Sequence, residues 1–215
     1  MKTKLFTFAF IAASLSGFAQ GKITYGNTSA HMAVFNQTYM LPADAAYDGQ
    51  PIPTGTLPSG ITLQAALYAG TSSGSLALQT AFALSGANMS SPGVWTPNSM
   101  QMASIPGGSP VYFQFFVWGT ISGFGLPGSI STTTDFQNSV NAFYFGTSGL
   151  FTAVPGTTIA YPQITNPNPP TSSTLLPGDI IIYGAPEPSS LALFVFLGTS
   201  IFMRRRNSKH MDTLA

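Results

Sequence analysis

Val111-Tyr112-Phe113-Gln114-Phe115-Phe116-Val117-Trp118 is interrupted by a strongly polar side chain only at Gln114. Side chains along a strand point alternately to opposite faces, so a run this apolar must be covered on both sides. It reads as a central strand inside a sandwich. Upstream, Ile61, Leu63, Ala65 and Leu67 alternate with Thr62, Gln64, Ala66 and Tyr68, the two-residue period of a half-buried strand. Shorter candidates are Lys22–Gly26, Met32–Phe35, Leu76–Leu84, Ala142–Phe145, Leu150–Val154 and Ile180–Tyr183. Clusters of Gly, Pro, Ser and Asn, as in Pro51–Gly60 and Pro106–Pro110, mark the turns between them. Only Thr134–Ala142, with Asp135 near its start, has the makings of a short helix. The polar stretch Gln163–Leu176 reads as a long loop before a last strand, Asp179–Tyr183, that finishes the domain.

These features predict an all-β chain: a single β-sandwich or jelly-roll-like ectodomain over residues 20–184. An outer-membrane barrel also alternates and uses aromatics, but it needs a series of about ten-residue strands with aromatic girdles. An apolar helix candidate after residue 190, and no terminal strand there, argue against it.

Between Gln20 and Ala185 the charged residues are Lys22, Asp44, Asp48, Asp135 and Asp179. A single lysine cannot build a phosphate-binding footprint, so nucleic acid is excluded as a partner. The formal charge of +1 comes from basic residues at the two ends of the chain, and the middle is mildly acidic. With no cysteine there is no disulfide and no thiolate metal site. The 13% aromatic content argues for an ordered core despite 22 Gly and 17 Pro.

Both ends read as targeting segments. Lys2 and Lys4, the apolar Leu5–Leu15 and the small-x-small triplet Gly17-Phe18-Ala19 form a signal peptide over residues 1–19. Signal peptidase is expected to cut between Ala19 and Gln20. At the other end Ala185-Pro186-Glu187-Pro188-Ser189-Ser190 leads into Leu191–Met203, which stops at Arg204-Arg205-Arg206. The prolines disfavour helix around Glu187 and leave an extended segment of the kind a protease accepts. As a transmembrane helix Leu191–Met203 is short, about 20 Å against a hydrocarbon core of about 30 Å. The arginines resist transfer and hold their end on the cytoplasmic side. Lysines at one extremity and arginines at the other place everything between them outside.

The Pro186-Glu187-Pro188 motif, the apolar Leu191–Met203 segment and the Arg204–Arg206 cluster resemble a PEP-CTERM sorting signal, which here covers residues 185–206. The resemblance implies recognition by exosortase, a membrane protease, after which the ectodomain is released or transferred to the cell surface of a Gram-negative bacterium. Family members usually stop almost at once after the arginines, whereas this chain runs on through a cytoplasmic tail, residues 207–215. Leu67-Tyr68-Ala69-Gly70 followed by Val111–Trp118 also resembles a recurrent ectodomain of that family, which bears on the fold alone. An ordinary C-terminal anchor is the competing reading of the same segment. No LPxTG-type motif points to a cell-wall sortase, and no cysteine is there to be acylated.

Chemistry is sparse. His31 is the single histidine of the middle region, and no Gly-x-Ser-x-Gly elbow accompanies it. A glycosidase needs two carboxylates about 5–5.5 or 6.5–9.5 Å apart, and Asp44, Asp48, Asp135 and Asp179 are the whole supply. Asp44 and Asp48 share a loop that would make a weak calcium site at best. Carbohydrate binding is the stronger alternative. Trp95, in the turn-rich Ser90–Asn98, is expected at the surface where it could stack on sugar, as could Tyr39 and Tyr47, while Trp118 is expected in the core. Asn27, Asn36 and Asn88 head Asn-x-Ser/Thr acceptor sequences. The expectation is therefore an exported, non-enzymatic surface or extracellular-matrix protein without catalytic, cofactor or metal residues. Its partners would be signal peptidase, exosortase, the membrane before processing, and exopolysaccharide. A carbohydrate-binding module displayed by the same route is the alternative.

Overall fold

The computed structural model describes residues 20–36, 40–120, 126–140, 142–165 and 179–184. The signal peptide, the sorting motif with its apolar segment and arginines, and the C-terminal tail lie outside the described residues. The described part is mostly β. Its elements are β1 (Gln20–Tyr25), β2 (Ala33–Phe35), β3 (Thr62–Ser72), β4 (Ser75–Ala83), β5 (Met89–Ser91), β6 (Val94–Trp95), β7 (Asn98–Pro106), β8 (Val111–Thr120), β9 (Ser129–Ile130), α1 (Thr133–Val140), β10 (Tyr144–Thr147), β11 (Phe151–Ala153) and β12 (Ile180–Gly184).

The largest sheet runs in the order β2-β12-β10-β8-β3-β4-β9, with β11 also on β8; β2 and β12 are parallel and the other pairs antiparallel. The expected central strand is β8, flanked along its length by β3 on one side and by β10 and β11 on the other. β10 and β11 form one line against β8, interrupted where Ser148 replaces a ladder group. The Phe115 N–H donates to Ser148 Oγ at 2.9 Å while the Ser148 N–H donates to the Phe115 carbonyl at 3.0 Å. Gly149, at φ 71°, supplies the left-handed residue of this bulge.

Both faces of β8 are buried, for different reasons. Val111, Phe113, Phe115 and Val117 enter the main core, where they share a cluster with Ile23 and Tyr25 of β1, Trp95 of β6, and Met102 and Ile105 of β7. Phe116 and Trp118 enter a second cluster with Tyr68, Ile130, Phe145 and Phe136 of α1. Phe136 stacks on Phe116 at 4.4 Å and meets Tyr68 and Trp118 edge-on at 5.7 and 5.3 Å. The polar exception, Gln114, donates to Thr147 Oγ1 at 2.8 Å. The β3–β4 hairpin explains the glycine of Leu67-Tyr68-Ala69-Gly70, because a Cβ on Gly70 would collide with the Ser75 carbonyl.

Helix α1 occupies almost the predicted span and opens with a capping box. The Asp135 N–H donates to Thr132 Oγ1 at 3.2 Å, and Asp135 Oδ2 accepts from the N–H groups of Thr132 and Ser131 at 2.8 and 3.0 Å. Those backbone donors hold the Asp135 carboxyl below its ordinary pKa. A lowered folded value means the stabilisation is whole above about pH 4 and drains away as pH falls through the depressed value. Asp135→Ala is therefore expected to lower the urea midpoint at neutral pH. The gap from the parent should close on acidification, and a gap independent of pH would refute the capping role.

Strands β5, β6, β7 and β9 were not legible as strands. Ser90–Asn98 is a correction: it is not merely turn. Pro92 and Gly93, with Gly93 at φ 74°, join β5 to β6, and Trp95 turns into the core.

Candidate functional site

Trp95 is fully buried, packed on Phe115 at 5.4 Å and Phe82 at 6.2 Å. It is therefore not a stacking platform for sugar, contrary to its expected exposure. Trp118 is buried as expected. Tyr47 is partly buried against Phe35, at 6.5 Å. Tyr39 lies outside the described residues. Residues that hold Trp95 in place came from an unexpected source. Asn27, read as a glycan acceptor, is buried with its Nδ2 donating to the carbonyls of Gly93 and His31 at 2.7 and 2.9 Å. Its Oδ1 accepts the backbone N–H of Trp95 at 2.7 Å. It clamps the hairpin and is closed to modification in the folded domain, whereas Asn36 and Asn88 are exposed.

Asp44, Asp135 and Asp179 each accept from a backbone N–H, whereas Asp48 Oδ1 is buried without a hydrogen-bond partner among the described residues. Asp44 is fully buried in the 3-10 turn Pro42–Tyr47, where Oδ2 accepts from Tyr144 Oη at 2.6 Å and Oδ1 from the Ser59 N–H at 2.9 Å. The Tyr144 hydroxyl in turn accepts from the Leu41 N–H at 3.1 Å. Burial first, and then the bond to Asp44, push the Tyr144 phenol well above its ordinary pKa. Tyr68, whose hydroxyl donates to the Pro127 carbonyl at 2.6 Å, is raised to about 12 by burial. Asp135 serves the helix cap, and Asp179 Oδ1 accepts the Met32 N–H at 2.9 Å. Of the two carboxylates read as a weak calcium site with nearby carbonyls, Asp44 is committed to internal hydrogen bonds through both oxygens. Among the described residues no three His, Cys, Asp or Glu side chains form a metal-holding group.

One depression stands out on the face of the large sheet that carries α1. Its volume is 270 Å³, and Phe145, Gly146, Thr147, Asp179, Ile181 and Tyr183 line it. Antiparallel register sets Phe145 opposite Tyr183 and Thr147 opposite Ile181, and the two-residue period carries all four side chains to one face. Phe145 is nearly buried and continuous with the aromatic cluster behind it, while Tyr183 is 45% exposed. Sequence pattern located β12 but carried no signal that Tyr183 would stand beside Phe145 and Asp179, since that depends on pairing across 38 residues. On the opposite layer Lys22 lies 5.8 Å over the ring of Tyr161, which is also part-exposed. Comparison of the chain with protein-family models, curated proteins and solved structures gave no match.

Proposed function

We propose that this chain is an exported, non-enzymatic surface or extracellular-matrix protein, sorted through its C-terminal PEP-CTERM-like signal by an exosortase-type membrane protease. The observation that carries the reading is the ordered series of Pro186-Glu187-Pro188, the apolar Leu191–Met203 and Arg204-Arg205-Arg206. Cuts at the Ala19–Gln20 bond and near Pro186 would remove none of the described strands, β1 to β12. The ectodomain is a sandwich-type unit in which β1, β5, β6 and β7 close the main core over one face of the large sheet. Asp44 and Asp135 are engaged in a latch and a helix cap, which suits a structural part.

Intact-mass measurement on protein from the producing cells tests the route. The expected result is a chain that starts at Gln20 and ends near Pro186–Pro188. Retention of Arg204–Ala215 on most exported protein would favour an ordinary anchor. Recovery of the chain from the cytosol with both ends intact would overturn export itself.

A second reading is favoured by one observation: Tyr183 stands half-exposed beside the depression over β10 and β12. On that reading the displayed domain is a carbohydrate-binding module, and exopolysaccharide is its partner.

A further inference from the structure

We propose that the depression over β10 and β12 binds one ring of a neutral saccharide, an assignment that rests on the carbohydrate-binding reading. A pyranose ring presents an apolar C–H face and a rim of hydroxyls. The depression offers the complement of each. The half-exposed Tyr183 ring, with Phe145 and Ile181 beside it, makes an apolar wall. An exposed aromatic next to buried ones is where stacking gains most, because Phe145 is already held by Phe116 and Phe136 at 6.1 and 5.9 Å. Polar atoms sit at the rim. Asp179 uses Oδ1 for the Met32 N–H and keeps Oδ2 to accept from sugar hydroxyls. Thr147 Oγ1 accepts from Gln114 Nε2 at 2.8 Å, which directs its own proton elsewhere and makes it a donor.

Size and charge narrow the ligand. At 270 Å³ the depression falls just under the about 300–1,000 Å³ typical of drug-sized ligands, so it suits a single ring rather than a long stretch of chain. Asp179 is the ionised group in its lining, and Lys22, the one Lys or Arg among the described residues, belongs to β1 in the other layer. Uronate, sulfate and phosphate would meet that carboxylate, and no Lys or Arg lines the depression to offset it. Neutral hexose units meet no such penalty, and a carboxylate is a strong acceptor for hydroxyl groups.

The test is titration of the purified full-length chain with methyl glycosides of glucose, galactose and mannose, glucuronic acid, and tetramethylammonium. At least one neutral glycoside is expected to bind, with glucuronic acid failing. Tyr183→Ala should weaken that binding by about tenfold or more, the scale of one aromatic contact. Asp179→Asn keeps an oxygen for the Met32 N–H while removing the charge, so it should weaken the neutral sugar and narrow the gap to glucuronic acid. Thermal melting checks that each variant is folded, and if Tyr183→Ala is not, Asp179→Asn and Thr147→Val carry the test. Sugar binding that survives all three substitutions overturns this site and leaves the carbohydrate-binding reading standing. Failure of every neutral glycoside overturns both, without touching the sorting route that intact mass reports. Preferential binding of tetramethylammonium overturns the assignment in favour of a cation held by Tyr183 and Asp179.

Discussion

Trp95→Ala is expected to destabilise the domain by about 3–5 kcal/mol, the usual cost of emptying a buried aromatic site. Domains of this kind have about 5–15 kcal/mol in total, so the variant should melt far below the parent or fail to accumulate. The argument is geometric. Trp95 has no exposed surface and lies between Phe115 of β8 and Phe82 of β4. Removing it leaves a void at the meeting of the two layers. Asn27 would then anchor a hairpin with nothing behind it. Urea denaturation followed by circular dichroism measures the loss. A well-folded Trp95→Ala protein within about 1 kcal/mol of the parent would mean that the indole is not a core residue.

Asp44→Ala should cost a comparable amount, about 3–6 kcal/mol, from the loss of two hydrogen bonds to a carboxylate worth about 1.5–3 kcal/mol each. The carboxylate ties the 3-10 turn to the Ser59 loop through one oxygen and to β10 through the other. Its removal strands the Tyr144 hydroxyl and the Ser59 N–H inside the protein. Tyr144→Phe breaks the same latch from the far side. A double-mutant cycle in denaturant should give a coupling of about 1–3 kcal/mol. Additive effects would show that the two groups do not act together.

How much of this was written plainly in the chain depends on the range of the interaction. β8, β3 and the helix were legible because their signals are local: a doubly apolar run, an alternation, and an acidic residue at a helix start, although β3 is half-buried only as far as Gln64 and is covered on both faces from Ala65 to Gly70. β5 and β6 were hidden because Met89–Ser91 and Val94–Trp95 are too short for any period to register. Their position is set instead by Asn27, 68 residues from Trp95 in sequence. Gly49, which follows Asp48, turns the chain at φ 66°, as an Asp-Gly pair favours. Asp44 beside it gave no sign of burial, because its partner Tyr144 lies 100 residues away. The depression is legible only after β10 and β12 are paired, and so neither Tyr183 nor Asp179 announced itself.

The place of Lys22 has a practical outcome. It sits mid-strand in β1, bonded on one side to β7 and on the other through its N–H to the Gly156 carbonyl at 3.0 Å. The next lysine or arginine in the sequence is Arg204. Trypsin thus has one bond to cut between Gln20 and Gly184, and that bond is locked in a ladder. Routine shotgun digestion would yield a peptide too long to detect, so proteome surveys built on trypsin would overlook this molecule however abundant it were. Chymotrypsin, with tyrosines and phenylalanines spread along the strands, is the enzyme that would bring it into view.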